Sequence, residues 1–236
     1  MSFISSHLSA LRHRDFRLLW TGTFFSTAGQ WVQSATLGWV VYDITQSGAL
    51  LGAVLSMRAI PMFMLAPLSG VVAERCSRKH ALAVSQLLVV VASFALATAL
   101  ALKRVEIWHL AVGAFMFGLV NAVDEPGRAS FFPRLLPKSH LSSGIPLISM
   151  AFGTSRMIAP SIAGFVIASV GAPPVFLLCA LGMSVMISML FLVRPAASSA
   201  GKHGSLLGNL ADSLRYIRAN EVFSRVIVAA LLNATF

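Results

Sequence analysis

Long apolar stretches alternate with short polar segments along most of this chain of 236 residues. Six stretches hold about 17–29 residues each, and they occupy residues 16–41, 48–73, 81–102, 107–123, 141–169 and 172–193. At a rise of about 1.5 Å per residue, helices of this length cross a hydrocarbon core of roughly 30 Å. A seventh stretch, residues 222–236, holds about fifteen residues, fewer than the ~20 that a span needs. The pattern predicts an all-α integral membrane protein with six spans and the start of a seventh.

Lys and Arg residues are distributed unevenly between the segments that connect these stretches. Of the eighteen, fourteen lie before or at the start of the first stretch or after the second, fourth and sixth, whereas the opposite connections hold only Lys103 and Arg104. The remaining two, Arg58 and Arg156, lie within spans. Because positively charged loops stay in the cytoplasm, the N-terminus and the segment after the sixth span are predicted to be cytoplasmic.

The chain therefore divides into four predicted parts. They are a cytoplasmic N-terminus at 1–15, a six-span unit at 16–193, a cytoplasmic linker at 194–221 and an incomplete seventh span at 222–236. The linker begins with a flexible stretch rich in Ala, Ser and Gly. Apolar residues then recur at helical spacing from Leu207 to Ile217, which predicts an amphipathic helix on the inner membrane surface.

Composition excludes several other classes of protein. Charged residues make up 11% of the chain, against roughly 25% in soluble domains. The net charge of +10 favours contact with anionic lipid over nucleic acid, because the basic residues alternate with spans. Cys76 and Cys179 are isolated and show no metal or redox spacing, so no metal or cofactor is expected. Hydrolase motifs and paired intramembrane Asp residues are absent from the sequence, so no catalytic site is expected.

Polar residues in the first span lie on one helical face. Thr23, Ser26, Gln30 and Gln33 are spaced 3, 4 and 3 residues apart. Two amides facing lipid would be costly, so this face meets either other helices or a water-filled cavity. The sequence favours the cavity, which makes Gln30 and Gln33 candidate substrate-binding residues. Hydrogen bonding to neighbouring helices is the alternative.

Spans two and five carry similar sequences. In each, an Arg precedes a Pro and a run of small residues, with Arg58 before Pro61 and Arg156 before Pro160. The two occupy matching places in two groups of three spans, and because three is odd, the second group crosses the membrane in the opposite direction. This is the pattern of a 3+3 inverted-topology repeat.

An Arg in mid-membrane costs at least ~2.5–3.5 kcal/mol and needs a partner. The span interiors hold no predicted buried acid, since Asp43, Asp124 and Glu125 fall at the span ends. Arg58 and Arg156 are therefore candidates for an anion-binding site. A structural role is an equal alternative. Each Arg can instead donate hydrogen bonds to backbone carbonyls left unpaired by the nearby proline, or extend its side chain to the membrane–water interface.

Two motifs resemble a known family. The segment after span two, with Gly70, Glu74, Arg75, Arg78 and Lys79, resembles the signature loop of the major facilitator superfamily. The segment after span four, residues 121–137, resembles the enterobactin-exporter-like branch, also called transmembrane secretion effectors. Its matching residues include Asp124 and Arg128, and residues 11–20 fit the same branch.

The resemblance implies one half of a twelve-span secondary active transporter of the bacterial inner membrane. Such proteins usually export a small molecule, siderophore-like or drug-like, at the expense of an ion gradient. Because the loops after spans two and four are predicted to emerge on the same face and carry opposite charges, Glu74, Arg75, Arg78, Asp124 and Arg128 are expected to form a gating charge network. The chain is expected to be an inactive fragment that needs its missing half or a second copy. A self-assembling six-span half-transporter and a non-transporting membrane protein are the alternatives.

Overall fold

The structure, a computed structural model, describes residues 9–65 and 78–194, apart from the side chains of Arg78 and Lys138, and these ranges contain helices but no strands. The longer helices are α1 Arg14–Thr45, α2 Gly48–Ser56, α3 Arg78–Ala101, α4 Ile107–Phe131, α5 Leu141–Val170 and α6 Pro173–Leu192. After α2 the chain makes a turn at residues 57–58 and is helical again across 59–65. Short 3₁₀ helices lie at Ser9–Arg12, Phe132–Arg134 and Lys138–His140.

Local sequence explains where several helices begin and end. Helix α1 ends at Gln46, which takes the left-handed conformation with φ of 50°. Ser47 then caps α2 by accepting a hydrogen bond from the Leu50 N–H. Prolines occupy the first turn of α6, where the missing N–H is not needed. Helix α5, by contrast, continues unbroken through Pro160, so this proline does not divide the span.

Within the described residues, five helical segments are long and apolar enough to cross a membrane by length and composition. They are Gly48–Leu65, Lys79–Ala101, Ile107–Arg134, Leu141–Val170 and Pro173–Leu192. Helix α1 is the longest described helix, at 32 residues, but its Ser, Thr and Gln residues lower its hydropathy. The predicted count of six spans therefore depends on α1, whose polar residues lie mostly inside the bundle.

Helix α1 lies at the centre of the packing, against α5 and α6, while α3 packs on α4 and α6. Small residues allow the close approach of α1 to α6. A Cβ at Gly182 would lie 2.6 Å from the carbonyl oxygen of Phe25, and one at Gly29 would lie 3.1 Å from that of Cys179. Packing of this kind drives helix association in membranes, where lipid is as apolar as the helix surfaces.

The two larger apolar clusters of the described residues lie along the bundle. One includes Leu37, Leu96 and Phe117, and the other includes Phe16 and Leu190. Large apolar side chains also cover the outside, among them Phe63, Met157 and Phe165, which are 79%, 80% and 76% exposed. An apolar exterior of this extent fits a surface that faces lipid.

Several predicted features lie outside the described residues. The described ranges belong to one unit, Met1–Ser198, and a second unit comprises Ser199–Phe236. The predicted linker helix and the seventh stretch lie outside the described residues. Gly70, Glu74 and Arg75 of the signature loop also lie outside the described ranges.

Candidate functional site

A buried polar cluster lies where α1, α3 and α4 meet. It consists of Ser26, Gln30, Ser85, Gln86, Asp124 and Arg128. On α1 and α3, the residues of the polar cluster are preceded by residues of one larger apolar cluster and followed by residues of the other. The polar cluster is thus enclosed by apolar packing on both sides.

The Asp124 carboxylate is the centre of this polar cluster. It accepts a 2.6 Å hydrogen bond from Gln86 Nε2, a 3.2 Å bond from Gln30 Nε2 and a 3.5 Å contact from Ser85 Oγ. Arg128, one turn further along α4, places Nη2 2.6 Å from Oδ2. Donors from three helices therefore surround one carboxylate, which compensates for its removal from water.

Ser26 connects the positive and neutral members of the cluster. Its hydroxyl accepts a 2.5 Å hydrogen bond from Arg128 Nη2 and donates a 2.9 Å bond to Gln86 Oε1. The chain of bonds runs from Arg128 through Ser26 and Gln86 back to Asp124. A closed ring of this kind holds α1, α3 and α4 in one register.

The position of Asp124 corrects the sequence analysis, which placed it at a span end and expected no buried acid. Asp124 is 1% exposed and Arg128 is 3% exposed, because α4 continues past the apolar stretch to Phe131. The charges themselves ended the apolar stretch at residue 123. A hydropathy pattern cannot show that two charges are paired and buried together.

The polar face of α1 packs largely against other helices. Thr23, Ser26 and Gln33 are buried, and Gln30 is half-buried beside Asp124. Within the described residues, Thr23 Oγ1 and Gln33 Nε2 have no hydrogen-bond partner. In this unit, then, three of the four residues do not line an open cavity, and Ser26 bonds neighbouring helices as the alternative interpretation required.

Arg58 lies at the turn that follows α2. Its Nη1 donates a 3.3 Å hydrogen bond to the Ser34 hydroxyl on α1 rather than to a carbonyl near Pro61. Glu125 on α4 is near enough for its charge to act on the guanidinium. Glu125 is exposed, and within the described residues it forms no ion pair with Arg58.

Arg156 has a different environment. Its side chain is exposed on α5, and its guanidinium carbon lies 5.2 Å from the centre of the Trp31 ring. This is a cation–π distance. The structure gives Arg58 and Arg156 separate partners, so their matching sequence positions do not produce matching contacts.

Lys79 is the member of the signature loop whose side chain the structure describes. Its Nζ donates to the carbonyl oxygens of Val193 at 2.8 Å and Phe191 at 3.3 Å, at the end of α6. A cation at the C-terminus of a helix offsets the partial negative charge there. Of the predicted charge network, the Asp124–Arg128 pair is present in the described part of the chain.

A cavity of about 620 Å³ lies between the end of α4 and the start of α5. Its lining includes Glu125, Arg128, Ala129, Ile145, Ile148 and Ser149. Arg128 therefore belongs both to the polar cluster and to the wall of this cavity.

Sequence reasoning missed Ser85 and Gln86. They are adjacent polar residues inside a mostly apolar stretch, residues 81–102. That interruption was the available signal, since an amide in a spanning helix needs a partner inside the bundle.

Comparison with known proteins places this fold and its motifs in a family. Residues 5–236 match the family described as transmembrane secretion effector. The chain therefore belongs to this family of major facilitator superfamily transporters, and it is a multi-pass membrane protein.

Two curated relatives are similar to this chain. The staphyloferrin A transporter of Staphylococcus aureus (strain NCTC 8325 / PS 47) is 25% identical over 167 residues, which are 68% of this chain and 41% of that protein. The uncharacterized MFS-type transporter YfiS of Bacillus subtilis (strain 168) is 22% identical over 200 residues, 82% of this chain and 46% of that protein. The chain thus spans less than half the length of the curated relatives it matches.

Proposed function

We propose that this chain forms one six-span half of a secondary active transporter that exports a small siderophore-like or drug-like molecule. The observation that carries the proposal is the buried polar cluster around Asp124 and Arg128. Charged groups inside a membrane bundle are expensive and are characteristic of transport pathways. Membership of a transporter family, and similarity to a protein named as a siderophore transporter, support the same function.

The proposed topology has six spans, of which α1 is the first, and a cytoplasmic N-terminus. The proposed location is the bacterial inner membrane. At about 1.5 Å per residue, the 32 residues of α1 exceed the thickness of a hydrocarbon core. Its buried polar face avoids the cost of placing amides in lipid. The uneven distribution of Lys and Arg supports this orientation, and the similar sequences around Arg58 and Arg156 support a 3+3 inverted repeat.

Transport is proposed to need a second six-span unit beside this one. The chain covers less than half of its curated relatives, and one six-helix unit encloses only one wall of a central pathway. The second unit is either another part of the same polypeptide or a second copy of this one. A membrane protein that keeps the fold without transport is the remaining alternative.

Substrate contacts are proposed for Gln30, Gln33, Arg58 and Arg156. Gln30 is half-buried at the margin of the polar cluster, and Arg58 and Arg156 carry donors that recognise oxygen-rich groups. Gln33 is buried in this unit, and its proposed role depends on its Nε2, which has no hydrogen-bond partner among the described residues. Of the four, Arg156 is the most accessible to a ligand because its side chain is exposed on α5.

Gating is proposed for the signature loop together with the α4 pair. The loop residues are Gly70, Glu74, Arg75, Arg78 and Lys79, and the α4 residues are Asp124 and Arg128. Loops that emerge on one face with opposite charges attract each other, and removing one partner leaves the other unpaired.

A flux assay in proteoliposomes tests the proposed function. Export of labelled siderophore-like and drug-like compounds is compared for this chain alone and for a version joined to a second six-span unit. Flux with the joined version only is the expected result. Flux by the chain alone would favour self-assembly, and no flux by either, at normal insertion, would favour the non-transporting alternative.

A further inference from the structure

A pair of histidines joins two segments at one end of the bundle. Nε2 of His13 and Nδ1 of His140 lie 3.4 Å apart and share a hydrogen bond, and the two rings meet edge to face with their centres 5.0 Å apart. Both side chains are half-buried. His13 precedes α1 and His140 precedes α5, so the pair connects the starts of two helices that are distant in the chain.

Neither histidine caps the helix that it precedes. Each occupies the N-cap position, where Ser, Thr, Asp or Asn would accept a hydrogen bond from a free backbone N–H, but neither ring makes such a bond. The contact between the two rings is therefore the side-chain interaction that the structure gives to both residues.

The number of protons on the pair determines whether this contact can exist. A hydrogen bond between two imidazole rings needs one nitrogen that donates and one that accepts. A neutral ring has one of each, whereas a protonated ring has two donors and no acceptor. The bond therefore persists while at least one ring is neutral. Once both rings are protonated, two donors with like charge face each other and repel.

The surrounding charges add to this repulsion. Segments 9–17 and 134–144 hold one acid, Asp15, and five basic residues, which are Arg12, Arg14, Arg17, Arg134 and Lys138. The N-termini of α1 and α5 place the positive end of a helix dipole beside each ring. In the described part of the chain, Asp15 forms an ion pair with neither histidine. A second proton on the pair therefore has no acid to compensate it.

We propose that His13 and His140 form a proton-sensitive contact, which holds the start of α1 against the start of α5 while one ring is neutral and releases it when both are protonated. The same segments share a 3.1 Å hydrogen bond between the hydroxyls of Ser9 and Ser143. Hydroxyl groups do not change charge between about pH 5 and 8, so this bond contributes no pH dependence. The contact lies within this unit, and the proposal does not depend on transport.

Spin labels on either side of the contact test the proposal in the full chain, reconstituted in lipid nanodiscs. Arg12→Cys and Ser139→Cys, both at exposed positions, carry the nitroxides in a background with Cys76→Ser and Cys179→Ala. His7→Gln removes a histidine that lies outside the described residues. Dipolar broadening of the EPR spectrum, which requires the labels to be close, should be present at about pH 7.5 and lost at about pH 5, because histidine changes charge between these values. Equal broadening at both pH values would overturn the proposal.

Glutamine variants identify the groups responsible. In His13→Gln or His140→Gln, the amide can accept from a protonated ring and donate to a neutral one, so the broadening should persist at both pH values. His109→Gln is the matched control, because His109 is also half-buried but accepts a hydrogen bond from the Glu106 N–H at the start of α4. This control should keep the pH dependence. Survival of the pH dependence in both variants of the pair, or its loss in the control, would refute the assignment.

Discussion

Gly118 on α4 lies directly against the backbone of Arg58, so closely that a Cβ at position 118 would overlap the Arg58 carbonyl oxygen. The neighbour is backbone, which cannot move aside as a flexible side chain can. The contact fixes the turn after α2 against α4. It also holds Arg58 where its side chain reaches Ser34 on α1.

Gly118→Ala is therefore expected to destabilise the protein by about 1–3 kcal/mol, the usual cost of overpacking. Gly52→Ala is the matched control, because nothing lies within 4 Å of a Cβ there. Thermal unfolding in detergent measures both variants. Equal stability of the two variants would show that Gly118 on α4 does not pack tightly against the backbone of Arg58.

Asp124→Asn should be among the most disruptive single changes in the bundle. It leaves the buried Arg128 guanidinium without its charge partner, and breaking a buried pair typically costs about 3–5 kcal/mol. The double variant Asp124→Asn with Arg128→Gln removes both charges and should recover part of that loss. A double-mutant cycle on unfolding free energies provides the measurement. Additive losses would mean that the two side chains do not act as a pair.

Arg156→Gln should leave stability nearly unchanged, because the side chain is exposed and its cation–π contact with Trp31 contributes about 0.5–1 kcal/mol. If Arg156 contacts substrate, efflux by a two-half version should fall while stability does not. Arg156→Lys, which keeps a cation over the ring, should retain more activity than Arg156→Gln. Full efflux by the Gln variant would exclude Arg156 from the site.

Arg58→Gln is expected to lower both stability and efflux, because Arg58 is half-buried and bonded to Ser34. Ser34→Ala, which removes the hydroxyl partner and keeps the Arg, separates the two effects. Normal efflux with Ser34→Ala beside lost efflux with Arg58→Gln would support a substrate contact. Parallel losses in both variants would make the role of Arg58 structural.

Cysteine labelling tests the proposed orientation in intact cells. In a background with Cys76→Ser and Cys179→Ala, single cysteines at Ser47 and Ala172 should react with an impermeant reagent added outside. A cysteine at Ser139, between α4 and α5, should react only after the membrane is opened. Labelling of position 139 from outside in intact cells would contradict the proposed orientation and indicate the opposite one.

The sequence by itself determined which segments are helical and apolar enough to span a membrane. Length and hydropathy are local properties, and the five candidate spans fall within the predicted stretches or extend them. The motifs after spans two and four also determined the family, since they consist of contiguous residues. Neither result required knowledge of how the helices pack.

Tertiary structure alone decided which polar residues meet. Asp124 accepts from Gln30 and Gln86, which are 94 and 38 residues away in the chain, and no helical period relates positions on three different helices. Hydropathy also treats every charge as exposed. The pairing of Asp124 with Arg128, together with donors from α1 and α3, is what places a carboxylate inside the bundle, because only packing can replace the water that it loses.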